Sequence, residues 1–295
     1  MNEIAAVVVT YNRKELLLQC LDHLSKQTVP CDILVIDNGS SDGTGEAVKQ
    51  LDLKDALYFN TGKNLGGAGG FHYGMKAAAD HGYQYAWVMD DDTLPESHAL
   101  SQLVSADREL NGNYGFLCSR VLWTDGSNCV MNMPRKSMYR DIDGWNEALV
   151  PCVLASFVSL FLRTETIRTF GLPISEFFIW SDDWEYTRRI SLKKKCFAVR
   201  DSIVIHAMKS QKPVSVAEDS PDRIPRYRYF YRNDVYLYRR EGFLGWVWLI
   251  LKDFYHTILV LTRSKSDKKQ KIQMIWNGFS EGIHFHVPPE NYRYH

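Results

Sequence analysis

Three adjacent carboxylates, Asp90, Asp91 and Asp92, are the residues whose spacing most directly suggests chemistry. Like charges held this close repel one another, and a hard divalent cation with oxygen ligands relieves that repulsion. His206 follows the β-branched run 203–205 and offers a third ligand at the end of another strand. A solvated acidic turn explains the three carboxylates without a metal. Their place at the end of a strand favours a site for Mn²⁺ or Mg²⁺, in which His206 would be a physically sensible further ligand.

A second acidic pair, Asp182 and Asp183, stands between Trp180 and Trp184. A carboxylate beside aromatic rings loses solvation, so its pKa rises and it becomes a better proton acceptor. The pair therefore predicts a general base. The alternative is that either carboxylate caps the helix that follows.

The glycine-rich segment 62–70 predicts backbone that passes close to a ligand and opens a helix near 71–81, whose N-terminus favours anions. The segment fails the P-loop template, because Ala68 and Gly69 stand where Lys and Ser or Thr are required. It also fails the dinucleotide-binding fingerprint, because His72 stands where glycine is required. Neither a P-loop NTPase nor a dehydrogenase is supported.

The polar clusters follow predicted strands. Apolar runs at 4–9, 33–36, 57–59 and 85–89 alternate with helical patterns, and Asn12 is the predicted N-cap of the first helix. This order predicts an α/β fold with a doubly wound parallel sheet and ligands at the carboxyl ends of its strands. Asp37 and Asn38 follow the second run, where they suit either base or ribose binding or an ordinary turn.

Further helices and strands are predicted in the rest of the chain, and charge divides the whole chain into two parts. Further strands are predicted within 114–161, then a helix at 182–193, a strand at 196–205, a mobile loop at 209–222 and helices beyond 222. The net charge of zero hides an acidic part, residues 1–203 with 20 Lys+Arg against 26 Asp+Glu, and a basic remainder with 15 against 9. The zero sum argues against a nucleic-acid binder.

Four segments in this order resemble the family 2 glycosyltransferases of GT-A (Rossmann-like, nucleotide-sugar-binding) fold. They are residues 7–13 (VVVTYNR), 35–44 (VIDNGSSDGT), 64–71 (NLGGAGGF) and 90–92 (DDD). The later Trp-Ser-Asp-Asp segment and His206 resemble the bacterial galactofuranosyltransferases and the neighbouring rhamnosyltransferases. The resemblance covers about residues 1–210, which we take as the catalytic domain, and leaves 211–295 as a helical C-terminal region.

The resemblance implies a role for each matching residue. The nucleotide and its sugar would be bound by Thr10, Asn12, Arg13, Asp37, Asn38, Asn64, Gly66, Gly67 and Asp91, the last near the ribose or sugar. Mn²⁺ or Mg²⁺ would bind Asp90, Asp92 and His206. Asp183 would be the catalytic base, with Asp182 as its competitor. Trp180 and Trp184 would stack on acceptor or donor sugars.

The implied activity is inverting transfer of a sugar to a glycan or a lipid-linked glycan in cell-surface polysaccharide synthesis. UDP-galactofuranose is the expected donor, and dTDP-rhamnose, used by a rhamnosyltransferase, is the alternative. An inactive nucleotide-sugar-binding protein is a more remote alternative. A nucleotidyltransferase should carry a basic glycine-rich motif at the first strand, where Thr10, Tyr11 and Asn12 stand instead.

The C-terminal region suggests contact with a membrane or a second subunit. Its segment 243–262 is apolar apart from Lys252, Asp253 and His256, which suits an interfacial helix better than a transmembrane one. A basic cluster follows at 263–271, as expected of a helix that faces anionic lipid. Because no secretory signal precedes Ile4, we expect a cytoplasmic protein at the inner face of the membrane. Packing on the catalytic domain or in a homo-oligomer is the alternative.

Overall fold

The computed structural model describes residues 2–51, 56–208, 210–211 and 215–295. The strands described there are β1 (Ile4–Thr10), β2 (Asp32–Asp37), β3 (Ala56–Asn60), β4 (Tyr85–Asp90), β5 (Thr93–Pro95), β6 (Leu117–Trp123), β7 (Arg135–Ser137), β8 (Arg140–Asp141), β9 (Leu149–Cys152), β10 (Leu160–Arg163) and β11 (Cys196–His206). The helices are α1 (Lys14–Ser25), α2 (Thr44–Gln50), α3 (Gly66–Asp80), α4 (Ala99–Glu109), α5 (Thr164–Phe170), α6 (Asp182–Ser191), α7 (Tyr227–Tyr238), α8 (Gly242–Arg263) and α9 (Lys268–His284).

One large sheet organises the molecule, in the order β3-β2-β1-β4-β10-β6-β11-β5, with β9 also paired to β11. Strands β1 to β4 pair with one another in parallel, as predicted. The sheet as a whole is mixed, because β10 runs antiparallel to both β4 and β6, and β5 and β9 run antiparallel to β11. The parallel arrangement predicted from the pattern up to residue 92 is therefore found in β1 to β4, and the sheet becomes mixed beyond them.

The continuous apolar runs form strands because helices cover both faces of the sheet. Every residue of β1 is buried. Val7 packs in a cluster with Phe71 and Met75 of α3, whereas Val8, pointing to the other face, packs with Leu17 and other apolar residues of α1 and α4. This burial on two sides holds the carboxyl ends of β1, β2 and β4 together. The register pairs Thr10 with Asp37, and Val9 with Asp90.

Two local predictions at this edge are wrong. The first helix begins at Lys14 and its cap residue is Arg13, whereas Asn12 has a φ of 53° and accepts a hydrogen bond from the Ser41 amide at 2.8 Å. The glycine-rich segment becomes helical at Gly66, five residues earlier than predicted. Its glycines permit close packing, since a Cβ on Gly70 would lie 2.4 Å from the Val9 side chain.

The C-terminal helices pack on one another and on the catalytic part. Arg188 of α6 pairs with Glu241 at 2.7 Å, and Arg240 pairs with Glu185 at 2.9 Å. The predicted loop at 209–222 includes residues 209 and 212–214, which lie outside the described residues, while Val216 and Ala217 are buried. The division at residue 210 stays a prediction.

Helix α8 has an unusual distribution of side chains. Its polar residues face inward: Asp253 is fully buried, Lys252 pairs with Asp234 of α7, and Nδ1 of His256 lies 2.9 Å from the Tyr231 hydroxyl. Its outward face is apolar and exposed, and includes Phe243, Leu244, Ile250, Leu251, Phe254, Ile258 and Leu261. By length and composition the stretch Ile224–Arg263 could cross a membrane. Of the predicted basic flank, Lys271 is buried instead.

Candidate active site

The ends of β4 and β11 bring together the predicted metal ligands. Ligand atoms of Asp90, Asp92 and His206 all lie within 4.8 Å of one another. Nε2 of His206 is 3.0 Å from Asp92 Oδ1, and β11 is held beside Thr93 by the β5 pairing. Two carboxylates and one imidazole in this space match the donor atoms that Mn²⁺ and Mg²⁺ accept.

The charges of this cluster are unbalanced. Burial and then repulsion by Asp92 raise the pKa of Asp90 above its ordinary value. Burial also disfavours ionised Asp92, but hydrogen bonds from His206 and Arg13 outweigh it and hold the pKa of Asp92 low. Burial lowers the pKa of His206, whereas the neighbouring carboxylates raise it more strongly, to about 10. The buried carboxylates thus favour nearby positive charge, which the Arg13 guanidinium supplies to Asp92 and which a bound divalent cation would supply to the cluster.

The Asp91 side chain points away from Asp90, Asp92 and His206, and it connects this cluster to β1. Its Oδ2 accepts a hydrogen bond from the Thr10 hydroxyl at 2.7 Å, and its Oδ1 pairs with Arg13 at 3.1 Å. The same guanidinium pairs with Asp92 at 2.7 Å. The Arg13 side chain is half-exposed, whereas both carboxylates are buried. The predicted contact of Asp91 with a ribose or sugar stays a prediction.

Most of the other residues that were predicted to bind the nucleotide make hydrogen bonds within the protein. Asp37 is fully buried and accepts hydrogen bonds from the Ser40 amide at 2.7 Å and the Tyr58 hydroxyl at 2.5 Å. Asn38 donates to the Gly66 carbonyl at 2.9 Å, while its own Oδ1 is buried without a partner. Asn64 is exposed and accepts a hydrogen bond from the Gly66 amide at 2.8 Å. These contacts fix the edge where α3 begins.

Two cavities meet at the acidic cluster. The first cavity, about 850 Å³, is lined by residues that include Asn12, Arg13, Asp42, Asp92, Arg223 and Arg226. The second cavity, about 860 Å³, is lined by residues that include Gly67, Asp90, His206 and the 179–184 segment. Met131 lines both. Asp92 therefore faces one cavity, while Asp90 and His206 face the other.

The predicted bases stand at the start of α6, on the wall of the second cavity. Oδ1 of Asp183 accepts a hydrogen bond from the Trp184 amide at 2.7 Å. Burial raises the pKa of both Asp182 and Asp183; the charge of Asp183 raises the pKa of Asp182 further, and the charge of Asp90 raises that of Asp183. Both side chains are therefore better proton acceptors than an exposed carboxylate.

The predicted sugar-stacking residues line the same cavity. The Trp180 ring packs against Tyr227 with the ring centroids 5.1 Å apart, and against Phe230 at 5.8 Å. The Trp184 ring is covered by the Arg135 guanidinium, 4.1 Å from the ring centroid. Trp180 and Trp184 are thus held in place by neighbours.

The structure adds residues that the sequence analysis missed. Oδ1 of Asn132 lies 2.8 Å from Nδ1 of His206, which directs Nε2 toward the carboxylates. Arg223 and Arg226 reach the first cavity from the C-terminal region, and Lys252 and His256 reach the second. Asn132 lies in a segment without periodicity, so only its nearness to His206 in space reveals it.

A Rossmann-like sheet with carboxylates and a histidine at its carboxyl edge, between two cavities, is the arrangement of the GT-A fold. Solved structures agree on the fold. S. aureus TarS in complex with UDP superposes with a TM-score of 0.58 at 15% identity, over 96% of this chain and 72% of that one. A mannosyltransferase from Pyrobaculum calidifontis, solved with GDP-Man and Mn²⁺, gives 0.56 at 16% identity, over 97% and 76%.

The sequence profile of glycosyl transferase family 2 matches residues 5–151 of the chain. The chain is 29% identical over 279 residues to galactofuranosyltransferase GlfT1 of Mycobacterium tuberculosis, covering 84% of this chain and 90% of the relative. The identity to the Mycolicibacterium smegmatis GlfT1 is 29% over 196 residues, covering 63% of this chain and 65% of the relative. The predicted family and fold class are confirmed.

Proposed function

We propose that the protein is a metal-dependent, inverting glycosyltransferase that moves galactofuranose from UDP-galactofuranose to a glycan acceptor of a cell-surface polysaccharide. The observation that carries the proposal is the meeting of two cavities at Asp90, Asp92 and His206, with Asp183 on the wall of the second. A donor in the first cavity and an acceptor in the second would place both reacting groups beside one acidic cluster.

The first cavity suits the nucleotide diphosphate. Arg13 is held in place by Asp91 and Asp92, and Arg223 and Arg226 stand on the same cavity, so three guanidinium groups surround the space. Asp90, Asp92 and His206 would hold Mn²⁺ or Mg²⁺, which would neutralise the charge that develops on the departing diphosphate. Asn132 keeps the ring of His206 oriented for this role.

Asp183 is the proposed base, acting on an acceptor hydroxyl in the second cavity. The Trp184 amide fixes its Oδ1, so Oδ2 is the atom that would receive the proton. Asp183 is half-buried, whereas Asp182 is 7% exposed, and burial followed by the charge of Asp183 raises the pKa of Asp182. Once deprotonated, the hydroxyl oxygen attacks the anomeric carbon opposite the leaving diphosphate, which inverts the configuration.

The donor is assigned from the relatives named galactofuranosyltransferase. We expect UDP and UDP-galactofuranose, each with Mn²⁺, to raise the melting temperature by several degrees, because a ligand that binds only the folded state stabilises it. dTDP-rhamnose is the matched comparison. A larger shift with dTDP-rhamnose would make the protein a rhamnosyltransferase, and no shift with any nucleotide sugar would contradict the proposal.

The acceptor is proposed to be a lipid-linked glycan, met at the cytoplasmic face of a membrane. Trp248, Leu251 and Tyr255 of α8 line the second cavity and are also exposed, so the cavity adjoins the apolar outer face of this helix. Exposed Arg263, Lys265, Lys268 and Lys269 follow. An apolar face beside basic residues suits peripheral binding to anionic lipid.

Flotation with anionic liposomes at low salt tests the membrane contact. The wild-type protein should float, and a variant with both Leu244→Glu and Ile258→Glu should remain at the bottom, because these side chains are 69% and 56% exposed on the outer face. Leu192→Glu, at a position 58% exposed near the end of α6, is the matched control and should float. A wild-type protein that stays at the bottom, or that forms a homo-oligomer through this face, contradicts the proposal.

A further inference from the structure

The turn that precedes the proposed base has an unfavourable backbone. Phe178, Trp180 and Ser181 have φ values of 64°, 67° and 62°, in the left-handed region that residues with a Cβ rarely adopt. Such conformations persist only where neighbouring contacts fix them, and they gather at functional sites. The α6 helix, with Asp182 and Asp183 in its first turn, begins immediately after this turn.

One side chain of α7 binds the turn at three points. The Nδ2 of Asn233 donates to the carbonyls of Phe177 at 3.0 Å, Ile179 at 3.1 Å and Trp180 at 2.9 Å. Its Oδ1 accepts hydrogen bonds from the guanidinium of Arg232 at 2.9 and 3.0 Å, which sets the orientation of the amide. Asn233 is fully buried, so water does not replace these contacts.

Two further contacts complete the set of interactions that hold the 177–181 turn, which we call the clamp. The Ser181 hydroxyl donates to Asp234 Oδ1 at 2.9 Å, and the other oxygen of Asp234 pairs with Lys252 of α8. On the opposite side, the Ala68 amide of α3 donates to the Phe178 carbonyl at 3.2 Å. A Cβ on Gly66 would lie 2.0 Å from that carbonyl oxygen, so glycine is required for this approach.

We propose that Asn233 and Asp234 are positioning residues that hold the 177–181 turn and thereby set the place of Asp183 in the second cavity. This inference rests on the proposed function, because it takes Asp183 as the base. Helix α7 then contributes to the transfer reaction, and the C-terminal region forms a part of the acceptor site.

The Asn233→Asp variant tests the clamp, because it replaces the donating nitrogen with an oxygen of almost the same size. We expect kcat to fall at least about tenfold, since small displacements of a reacting group are costly. The KM for the donor and the dissociation constant of UDP with Mn²⁺ should stay within about twofold, because the first cavity is untouched. Asn277→Asp, on the exposed face of α9, is the matched control and should leave kcat unchanged.

Ser181→Gly supplies a variant that folds with less strain, since glycine accepts a φ of 62° and loses only the hydrogen bond to Asp234. A positioning role predicts a lower kcat without a lower melting temperature. Unchanged kcat in both variants, or a loss of UDP affinity equal to the loss of kcat, would overturn the proposal.

Amide hydrogen exchange separates failure of the clamp from failure of the proposed function. In Asn233→Asp the amides of 176–185 should exchange faster, among them Glu185, which donates to the Ser181 carbonyl at 2.9 Å in the wild type. If the wild type transferred no sugar, this faster exchange would still support the clamp. Unaltered exchange in this segment would overturn the clamp, whatever the activity.

Discussion

The Asp183→Asn variant should lose about 10³-fold or more of its transfer rate, because an amide cannot accept the proton of the acceptor hydroxyl and general bases contribute about 10²–10⁴-fold. UDP binding with Mn²⁺ should remain close to that of the wild type, since Asp183 lines the second cavity and not the first. Initial rates of transfer, together with calorimetric titration of UDP, measure both quantities.

Asp182→Asn is the matched control for this experiment. The side chain lies in the same first turn of α6 and on the same cavity. Because Asp182 is the more deeply buried of the two carboxyls and is not the proposed proton acceptor, we expect a loss of about tenfold or less. Should Asp182→Asn be inactive while Asp183→Asn retains turnover, the base would be Asp182.

The second large effect is expected at the acidic cluster. Asp92→Asn removes the charge that holds both His206 and Arg13, so the affinity for UDP in Mn²⁺ should fall about 10–100-fold. Transfer should fall about 10²–10³-fold, because stabilisation of the departing diphosphate is lost. Asp125→Asn, in an exposed turn, is the control and should behave as the wild type.

Chelation with EDTA makes this test sharper. It should lower the UDP affinity of the wild type to a value near that of Asp92→Asn, while the affinity of the variant should change little, because both treatments disable one metal site. If UDP bound Asp92→Asn as tightly as the wild type in Mn²⁺, Asp92 would not be a ligand.

Local sequence patterns predicted the half of the fold that is built from consecutive strands and helices. The strands β1, β2 and β4 were predictable because each is an unbroken apolar run buried on both faces. The ends of β4 and of the predicted strand before His206 place polar residues at one edge, which indicated a metal site there, and the family resemblance selected Asp90, Asp92 and His206. Composition gives no direction to a strand, so the antiparallel β10 was not foreseen.

Contacts between distant parts of the chain were not predictable. Asn132 and His206 are 74 residues apart, and Asn233 lies 53 residues from Trp180, so no periodic pattern connects either pair. The glycine-rich segment 62–70 was predicted to be a ligand-binding loop. Its glycines from Gly66 onward instead begin α3, where Gly70 packs on Val9. Because glycine has no side chain, it suits both a ligand-binding loop and a closely packed helix, and only the fold distinguishes the two roles.

The structure also shows what the basic C-terminal region contacts. It was expected to contact a membrane, with packing on the catalytic domain or on a second subunit as the alternative. Arg240 pairs with Glu185 of α6, and Arg232 donates to the Glu176 carbonyl at 2.6 Å. Part of the positive charge of the tail therefore joins it to the acidic catalytic part. The apolar outer face of α8 is what remains for the proposed contact with lipid.

A crystal structure of the protein with UDP and Mn²⁺ tests the central claim most directly. The account predicts anomalous density from manganese within coordination distance of Asp90, Asp92 and His206, with the diphosphate in the first cavity near Arg13. Manganese bound elsewhere, or UDP in the second cavity beside Asp183, would contradict it.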